Sequence, residues 1–350
     1  MNEQEIVGWL RETDETRLEE LWKRADNTRK KNVGDAVHLR GLIEISNHCT
    51  RSCGYCGLRA QNTKIERYRM EPDEILECAN KAKEFGYGTV VMQSGEDLAI
   101  ASGWVAALIR RIKEETGLAV TLSLGEREEQ ELTRWKNAGA DRYLLRFETS
   151  NRALFDKIHP PLGEKPCDRI ALLKQLKHLG FETGSGALIG IPGQSYEDLA
   201  RDIMLFAELG LDMIGCGPYI PHPETPLASE METALAGGDE TQVPNTELMA
   251  YKVIALARLV CPRANIPSTT AIATLNPARG REFGLERGAN VVMPNLTPVK
   301  YRALYEIYPG KACITETADA CAACLRGRIE SIGRQVGTGR GDSMNYLLRS

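Results

Sequence analysis

Short runs of apolar and β-branched residues alternate along most of the chain with longer stretches whose apolar positions recur at helical spacing. The short runs predict strands at Leu42–Ser46, Thr89–Gln93, Ala119–Leu124, Arg142–Phe147, Thr183–Ile189, Met213–Cys216, Pro267–Ala273 and Asn290–Met293. The amphipathic stretches between them predict helices at Pro72–Phe85, Trp104–Glu115, Glu128–Asn137, Asp168–Leu179, Tyr196–Leu209 and Glu247–Val260. In the first of these, Glu71-Pro72-Asp73-Glu74 supplies a helix start and Gly86 a stop. Eight strands joined by helical crossovers imply a parallel sheet in the α/β class, closed as a TIM-type (β/α)8 barrel, with a doubly wound open sheet as the alternative. Ahead of the first strand, Glu3 to Lys31 reads as helical, with Leu18, Leu21, Trp22 and Ala25 on one face. The expected organisation is an N-terminal helical extension over 1–36, the barrel over 37–300 and a C-terminal segment over 301–350.

A barrel gathers its chemistry at the C-terminal ends of its strands. The loop after each predicted strand is polar or glycine-rich. The first strand leads to Cys49-Thr-Arg-Ser-Cys53-Gly-Tyr-Cys56, the second to Gln93-Ser-Gly-Glu96, the third to Ser123-Leu-Gly-Glu126 and the fourth to Arg146-Phe-Glu148. The fifth ends in Gly190-Ile-Pro-Gly-Gln194, the sixth runs into Gly217-Pro-Tyr-Ile-Pro-His-Pro223, and the last two carry Thr269-Thr270 and Met293-Pro-Asn295.

The net charge of −4 gives no electrostatic footprint for nucleic acid or an anionic membrane. No apolar run reaches the ~18 residues of a spanning helix, and the acidic N-terminus carries no signal-peptide pattern, so a soluble, cytoplasmic protein is expected. Ten cysteines are many for such a chain, and six of them fall into two triads, Cys49/Cys53/Cys56 and Cys313/Cys321/Cys324. Clustering of this kind argues for metal ligation rather than a disulfide framework. Three thiolates at one point bind a soft metal or an iron–sulfur cluster, and an Fe4S4 cluster held by three cysteines keeps one iron open. A zinc site completed by His48 is the alternative. The second triad suits a peripheral Fe2S2 or Fe4S4 site, with zinc or unligated thiols as alternatives. Cys78, Cys167, Cys216 and Cys261 are scattered, and His222 between two prolines reads as a packing residue or a ligand.

The C-x3-C-x2-C spacing, with Tyr55 before the last cysteine at the exit of the first strand, resembles the radical SAM superfamily. The resemblance implies that Cys49, Cys53 and Cys56 hold an Fe4S4 cluster, that S-adenosylmethionine (SAM) chelates the fourth iron, and that reductive cleavage yields a 5′-deoxyadenosyl radical. It further implies that Ser94-Gly95-Glu96 holds the methionyl amine, with Ser where relatives carry the first Gly of Gly-Gly-Glu. Glu148 would contact the ribose or methionyl end, Arg169 would pair with the SAM carboxylate, and Gly186 and Gly190 would let the nucleoside approach the backbone. Arg67-Tyr-Arg-Met70, Ala140-Asp-Arg-Tyr-Leu-Leu-Arg146, Gly217-Pro-Tyr-Ile-Pro-His-Pro223 and Asn290-Val-Val-Met-Pro-Asn295 resemble the HydE family of [FeFe]-hydrogenase maturases, from about Val33 to Arg326. That likeness implies assembly of the diiron site of the hydrogenase from a cysteine-bound iron carbonyl-cyanide unit, with radical attack on the cysteine sulfur. It implies other maturases and an electron donor as transient partners. It also places Arg146, Thr269, Thr270 and Met293 around the substrate, with Tyr301 or Tyr305 nearby. A methylornithine synthase-like enzyme acting on an amino acid is the neighbouring possibility. Biotin synthase-like chemistry needs extra barrel cysteines where Gln93 and Ser123 stand. A metal scaffold without radical chemistry leaves Glu96, Glu148 and Arg169 unexplained.

Overall fold

The computed structural model describes residues 1–163, 167–236 and 240–349, with only the backbone for 232–236. Two helices, α1 (Glu3–Arg11) and α2 (Glu15–Val33), precede the long strand β1 (Ala36–Ser46). Strands and helices then alternate: α3 (Pro72–Glu84), β2 (Thr89–Ser94), α4 (Ser102–Thr116), β3 (Ala119–Ser123), α5 (Glu129–Asn137) and β4 (Arg142–Leu144). Next come α6 (Arg152–Ile158), α7 (Arg169–His178), β5 (Glu182–Ser185), β6 (Leu188–Ile189), α8 (Tyr196–Glu208), β7 (Met213–Ile214) and β8 (Gly217–Pro218). The remainder is α9 (Pro226–Ala236), α10 (Glu247–Val260), α11 (Thr270–Leu275), α12 (Gly280–Glu286), β9 (Val291–Val292), α13 (Val299–Arg302), α14 (Ala318–Ser331), β10 (Gln335–Val336) and α15 (Met344–Leu347).

Every pairing in the main sheet is parallel, in the order β1-β2-β3-β4-β5-β7. The ring closes through single bridges, Met213 to Asn265 and Pro267 to Val291, and through β9 pairing back onto β1. This is the TIM-type barrel that the alternation predicts. Side chains obey the two-residue period of a strand. Leu39, Ile43, Ile45, Val90, Met92, Val120 and Leu122 point outward into the layer shared with the helices, and all are buried. Their neighbours Arg40, Leu42, Glu44, Val91, Gln93, Thr121 and Ser123 point inward and line a cavity.

The seventh strand departs from expectation. Pro267–Ala273 is not a ladder; α11 starts at Thr270, with Thr269 as its N-cap. A proline has no N–H for a ladder, and the Asn290 side chain stands in for part of one by accepting from the Ile266 N–H at 2.9 Å. The expected N-terminal helix is two helices, because the Asp14 side chain accepts from the Arg17 N–H at 2.9 Å and begins a second one. The expected strands at 142–147 and 183–189 are shorter, the latter split into β5 and β6.

The chain's last described stretch returns to the bottom of the barrel. β10 pairs with the start of β1, and the turn after it presses so close that a Cβ on Gly88 would stand 1.6 Å from the Gly339 carbonyl oxygen. Arg40, Thr89, Arg142 and Asn265 donate to the carbonyls of Arg340 and Gly341 at 2.8–3.0 Å. Among the described residues no helix is long and apolar enough to cross a membrane.

Candidate active site

The cysteine loop leaves β1 through an irregularity between Glu44 and Ser46, where the register against β2 shifts. A bulge at a rim re-aims the chain beyond it. Arg67 then staples the loop, donating to the carbonyls of Asn47, Leu58, Arg59 and Asn62 at 2.5–3.0 Å. Arg69 forms a two-pronged pair with Asp97 at 2.7 and 3.0 Å, and Asp97 also accepts from Ser46. These contacts give the Arg67–Met70 motif its physical role. Gly57 lies against the imidazole of His222, where a Cβ would stand 2.6 Å from the ring, so His222 is a packing residue of this loop.

Ser94-Gly95-Glu96 lies directly across the loop. A Cβ on Gly95 would meet the His48 carbonyl at 2.2 Å and the Cys49 Cβ at 2.8 Å, so only glycine fits. The Glu96 carbonyl accepts from the backbone and hydroxyl of Thr50, both at 3.0 Å. Its carboxylate is buried, pairs with Arg51 at 2.5 Å and accepts from the Glu126 N–H at 2.9 Å. Burial raises its pKa against the pull of Arg51. Gly125 has φ +81° and leaves the space that the Glu96 side chain occupies.

Arg169 heads α7 and is almost wholly buried. It donates to Glu126 at 2.9 Å and to the Arg146 carbonyl at 2.7 Å, and lies 3.0 Å from His159 Nε2. The other nitrogen of His159, Nδ1, is 3.0 Å from the Cys53 sulfur. Glu126 collects Arg169, Arg51 at 2.8 Å, the Cys167 thiol at 2.8 Å and His159 at 3.1 Å. Burial opposes its ionisation, but the His159 hydrogen bond and the Arg169 charge hold the carboxyl well below the usual range. Burial pushes His159 down to about 4. Glu126, His159 and Cys167 could meet at a metal ion, yet two guanidiniums already neutralise the carboxylate and would oppose a further cation.

Glu148 sits at a left-handed φ of 64°, rare for a residue with a Cβ. The turn aims its carboxylate back at the barrel mouth, 3.5 Å from the Tyr55 hydroxyl. Arg146 approaches Glu148 Oε2 to 3.0 Å, out of line for a hydrogen bond, and both Oε2 and Arg146 Nε are buried without a hydrogen-bond partner. The cavity below has a volume of about 310 Å³ and runs from Arg40 and Met213 up to Tyr55 and Cys56. Arg146, Thr269, Thr270 and Met293 all line it, and the Thr269 hydroxyl is another buried atom without a partner.

The remaining expected residues fall in different surroundings. Gly186 and Gly190 pack on backbone: a Cβ would stand 2.0 Å from the Gly215 carbonyl and 2.5 Å from Asn245. Tyr301 stacks on Tyr68 with centroids 4.5 Å apart and bonds Glu74, outside the cavity lining. The Tyr305 hydroxyl accepts from Gln93 at 3.2 Å outside the cavity lining, whereas Tyr308 lines the cavity. Sequence reasoning missed Arg51, His159 and Cys167 as members of the site. It also missed the buried Lys311–Glu44 pair, 2.6 Å apart, on the cavity wall. The second triad gathers loosely: Cys313, at φ 65°, faces the cavity and shares a hydrogen bond with Cys321, while Cys324 is exposed one turn along α14. That bond and the Arg281 charge lower the Cys313 thiol, against burial.

Residues 43–224 match the Radical SAM superfamily, and the chain belongs to it. It is a radical SAM enzyme, and the family implies a 4Fe-4S cluster and SAM as cofactors. Within the superfamily the chain belongs to the HydE family: it is 47% identical over 319 residues to the [FeFe] hydrogenase maturase subunit HydE of Thermotoga maritima, covering 91% of this chain and 87% of that one. A 3-methylornithine synthase of Methanosarcina acetivorans is 26% identical over 294 residues, 83% of this chain and 79% of that one. The crystal structure of methylornithine synthase PylB superposes with a TM-score of 0.79 at 24% identity, covering 96% of this chain and 94% of that one. The hydrogenase maturase HydG of Carboxydothermus hydrogenoformans gives 0.69 at 19% identity, over 84% and 67%. These two superpositions speak to the fold.

Proposed function

We propose that this chain is a HydE-type maturase that takes part in building the diiron site of [FeFe]-hydrogenase. The observation that carries the reading is the 47% identity to HydE over 91% of the chain, joined to a loop of three cysteines whose Cys56 lines a cavity with buried polar atoms that lack hydrogen bonds. Burial raises the thiols of Cys49, Cys53 and Cys56, the last to about 12. Buried thiols ionise only beside a cation, so this donor set fits an iron cluster. A bound Fe4S4 cluster would supply the electron that cleaves SAM to a 5′-deoxyadenosyl radical.

The remaining work falls to the protein. Cys49, Cys53 and Cys56 hold the cluster, with Tyr55 at the cavity edge. Ser94, Gly95 and Glu96 present a carboxylate and carbonyls to the methionyl amine, and Arg169 offers a guanidinium to the methionyl carboxylate. Glu148 takes the ribose or methionyl end, while Gly186 and Gly190 set the backbone beside the nucleoside. Arg146, Thr269, Thr270 and Met293 orient the substrate, a cysteine-bound iron carbonyl-cyanide unit, in a cavity that excludes water. Cys313, Cys321 and Cys324 hold a second, accessory iron–sulfur cluster. An electron donor and other maturases meet the protein transiently in the cytoplasm.

The test is SAM cleavage by anaerobically reconstituted protein with a reductant. Wild type is expected to release 5′-deoxyadenosine and Cys53→Ala to release none; activity retained in that variant would remove the cluster from this loop. Restored hydrogenase activity in a strain lacking its own maturase checks the biological role. The amino-acid alternative is favoured by the likeness to 3-methylornithine synthase and by the guanidinium of Arg146. Failure to restore hydrogenase while SAM is still cleaved would select it.

A further inference from the structure

His159 is fully buried at the end of α6, its ring packed against Phe155 with centroids 5.1 Å apart. Its two nitrogens have different nearest partners: Nδ1 lies 3.0 Å from the Cys53 sulfur and 3.5 Å from an Arg169 nitrogen, and Nε2 lies 3.0 Å from that same nitrogen and 3.1 Å from Glu126. With a thiol at position 53, the S–H can donate to Nδ1 and the imidazole proton can rest on Nε2, toward Glu126. Iron binding removes that freedom. A ligated thiolate has no proton and can only accept, so a hydrogen bond between the two requires the proton on Nδ1. The surroundings permit this tautomer. Glu126 is already satisfied by Arg169, Arg51 and Cys167, and the Nε2 lone pair can accept from Arg169.

We infer that His159 is a positioning residue of the iron–sulfur cluster, donating an Nδ1–H···S hydrogen bond to the Cys53 thiolate and thereby raising the cluster's reduction potential. The inference rests on the cofactor reading of Cys49, Cys53 and Cys56. The physical reason is charge: the added electron increases negative charge on the sulfurs, so a donor stabilises the reduced cluster more than the oxidised one. Arg169 lies against the ring, nearer Nε2 than Nδ1. The cluster's potential and the arginine assigned to the SAM carboxylate thus share one imidazole.

The experiment uses full-length protein reconstituted with iron and sulfide, without SAM or substrate. Wild type, His159→Leu and His159→Asn are compared by iron content and by EPR-monitored redox titration. The Leu variant removes the donor; the Asn variant keeps one near the place of Nδ1. The expected result is equal iron, with the Leu variant at lower potential. Its reduced-to-oxidised ratio at a fixed applied potential should fall about tenfold, which is 59 mV for one electron, and the Asn variant should recover most of the shift. Pulsed EPR on wild type carrying 15N-labelled histidine should show a nitrogen coupling to the reduced cluster that disappears in the labelled Asn variant. Unchanged potential in the Leu variant, or no such coupling in wild type, overturns the inference. If the Leu variant loses its iron, the wild-type coupling decides. A wild-type chain that takes up no cluster overturns the cofactor reading itself, and this inference with it.

Discussion

The barrel carries a buried ionic network at each end, and the two are built from the same residue types. At the top, Arg51, Glu96, Glu126 and Arg169 interlock within 2.5–2.9 Å. At the bottom, Arg142 pairs with Glu182 at 2.5 Å and with Asp342, while Arg40 lies 4.0 Å from Glu182. Charge and burial alone therefore do not mark the active end. The difference lies in what covers each network. At the bottom the chain's own C-terminal stretch fills the opening and takes most of the donors, through the Arg340 and Gly341 carbonyls and the Ser343 N–H, while Arg40 Nε and His38 Nδ1 stay without a hydrogen bond behind it. At the top Glu148 Oε2 and Arg146 Nε stay buried without hydrogen bonds beside an open cavity, next to three raised thiols. One network is covered by the chain itself; the other opens on the cavity.

The sharpest way to break this comparison is Arg142→Leu. It strands Glu182 and Asp342 at the bottom and should cost about 3–5 kcal/mol, the usual penalty for breaking a buried pair. Urea unfolding should show the loss while iron bound per folded chain stays unchanged. A loss of iron at equal folding would mean that the two ends are not independent. At the top, Glu96→Gln keeps shape and removes charge. SAM binding to the reconstituted protein should weaken by ~10–100-fold, since a hydrogen bond to a charged group contributes ~1.5–3 kcal/mol, and the stability loss should stay below that of Arg142→Leu because Arg51 keeps its pair with Glu126. Equilibrium dialysis measures it.

Smaller effects should separate the ends further. Burial, with Arg40 and Arg142 beside it, lowers His38 at the bottom from 6.5 to about 4. Its folded pKa lies below the unfolded one, so the unfolded state binds more protons in between, and stability declines as pH falls from about 6.5 toward 4. Amide exchange over residues 335–343 should quicken across that window. Cys321→Ala is expected to be the mildest change: iron at the second triad is lost and SAM cleavage persists. Abolished cleavage would move that triad from accessory to essential.

Much of the fold was legible because barrel strands and crossover helices impose local periods. The strand positions of β1, β2 and β3 and the caps of α3 depend on residues within a few positions of each other. The stretch Pro267–Ala273 was misread because its apolar, β-branched composition suits a strand, whereas Thr269 caps a helix and a side chain 24 residues away supplies the pairing. Similarly, Glu96 was legible as a rim carboxylate, but not that Arg51 already holds it.

The sequence by itself determined the alternation that makes the barrel, the cysteine loop at the first strand's exit and the glycine at position 95. Each depends on local spacing or on a residue type with no substitute. Only the tertiary structure decided which buried polar atoms lack a hydrogen bond, that the C-terminal stretch covers the lower end, and that His159 and Cys167 join a network with Cys53. Those contacts span from 10 to more than 300 residues of chain. They are set by how the elements pack, and packing leaves no period in the sequence.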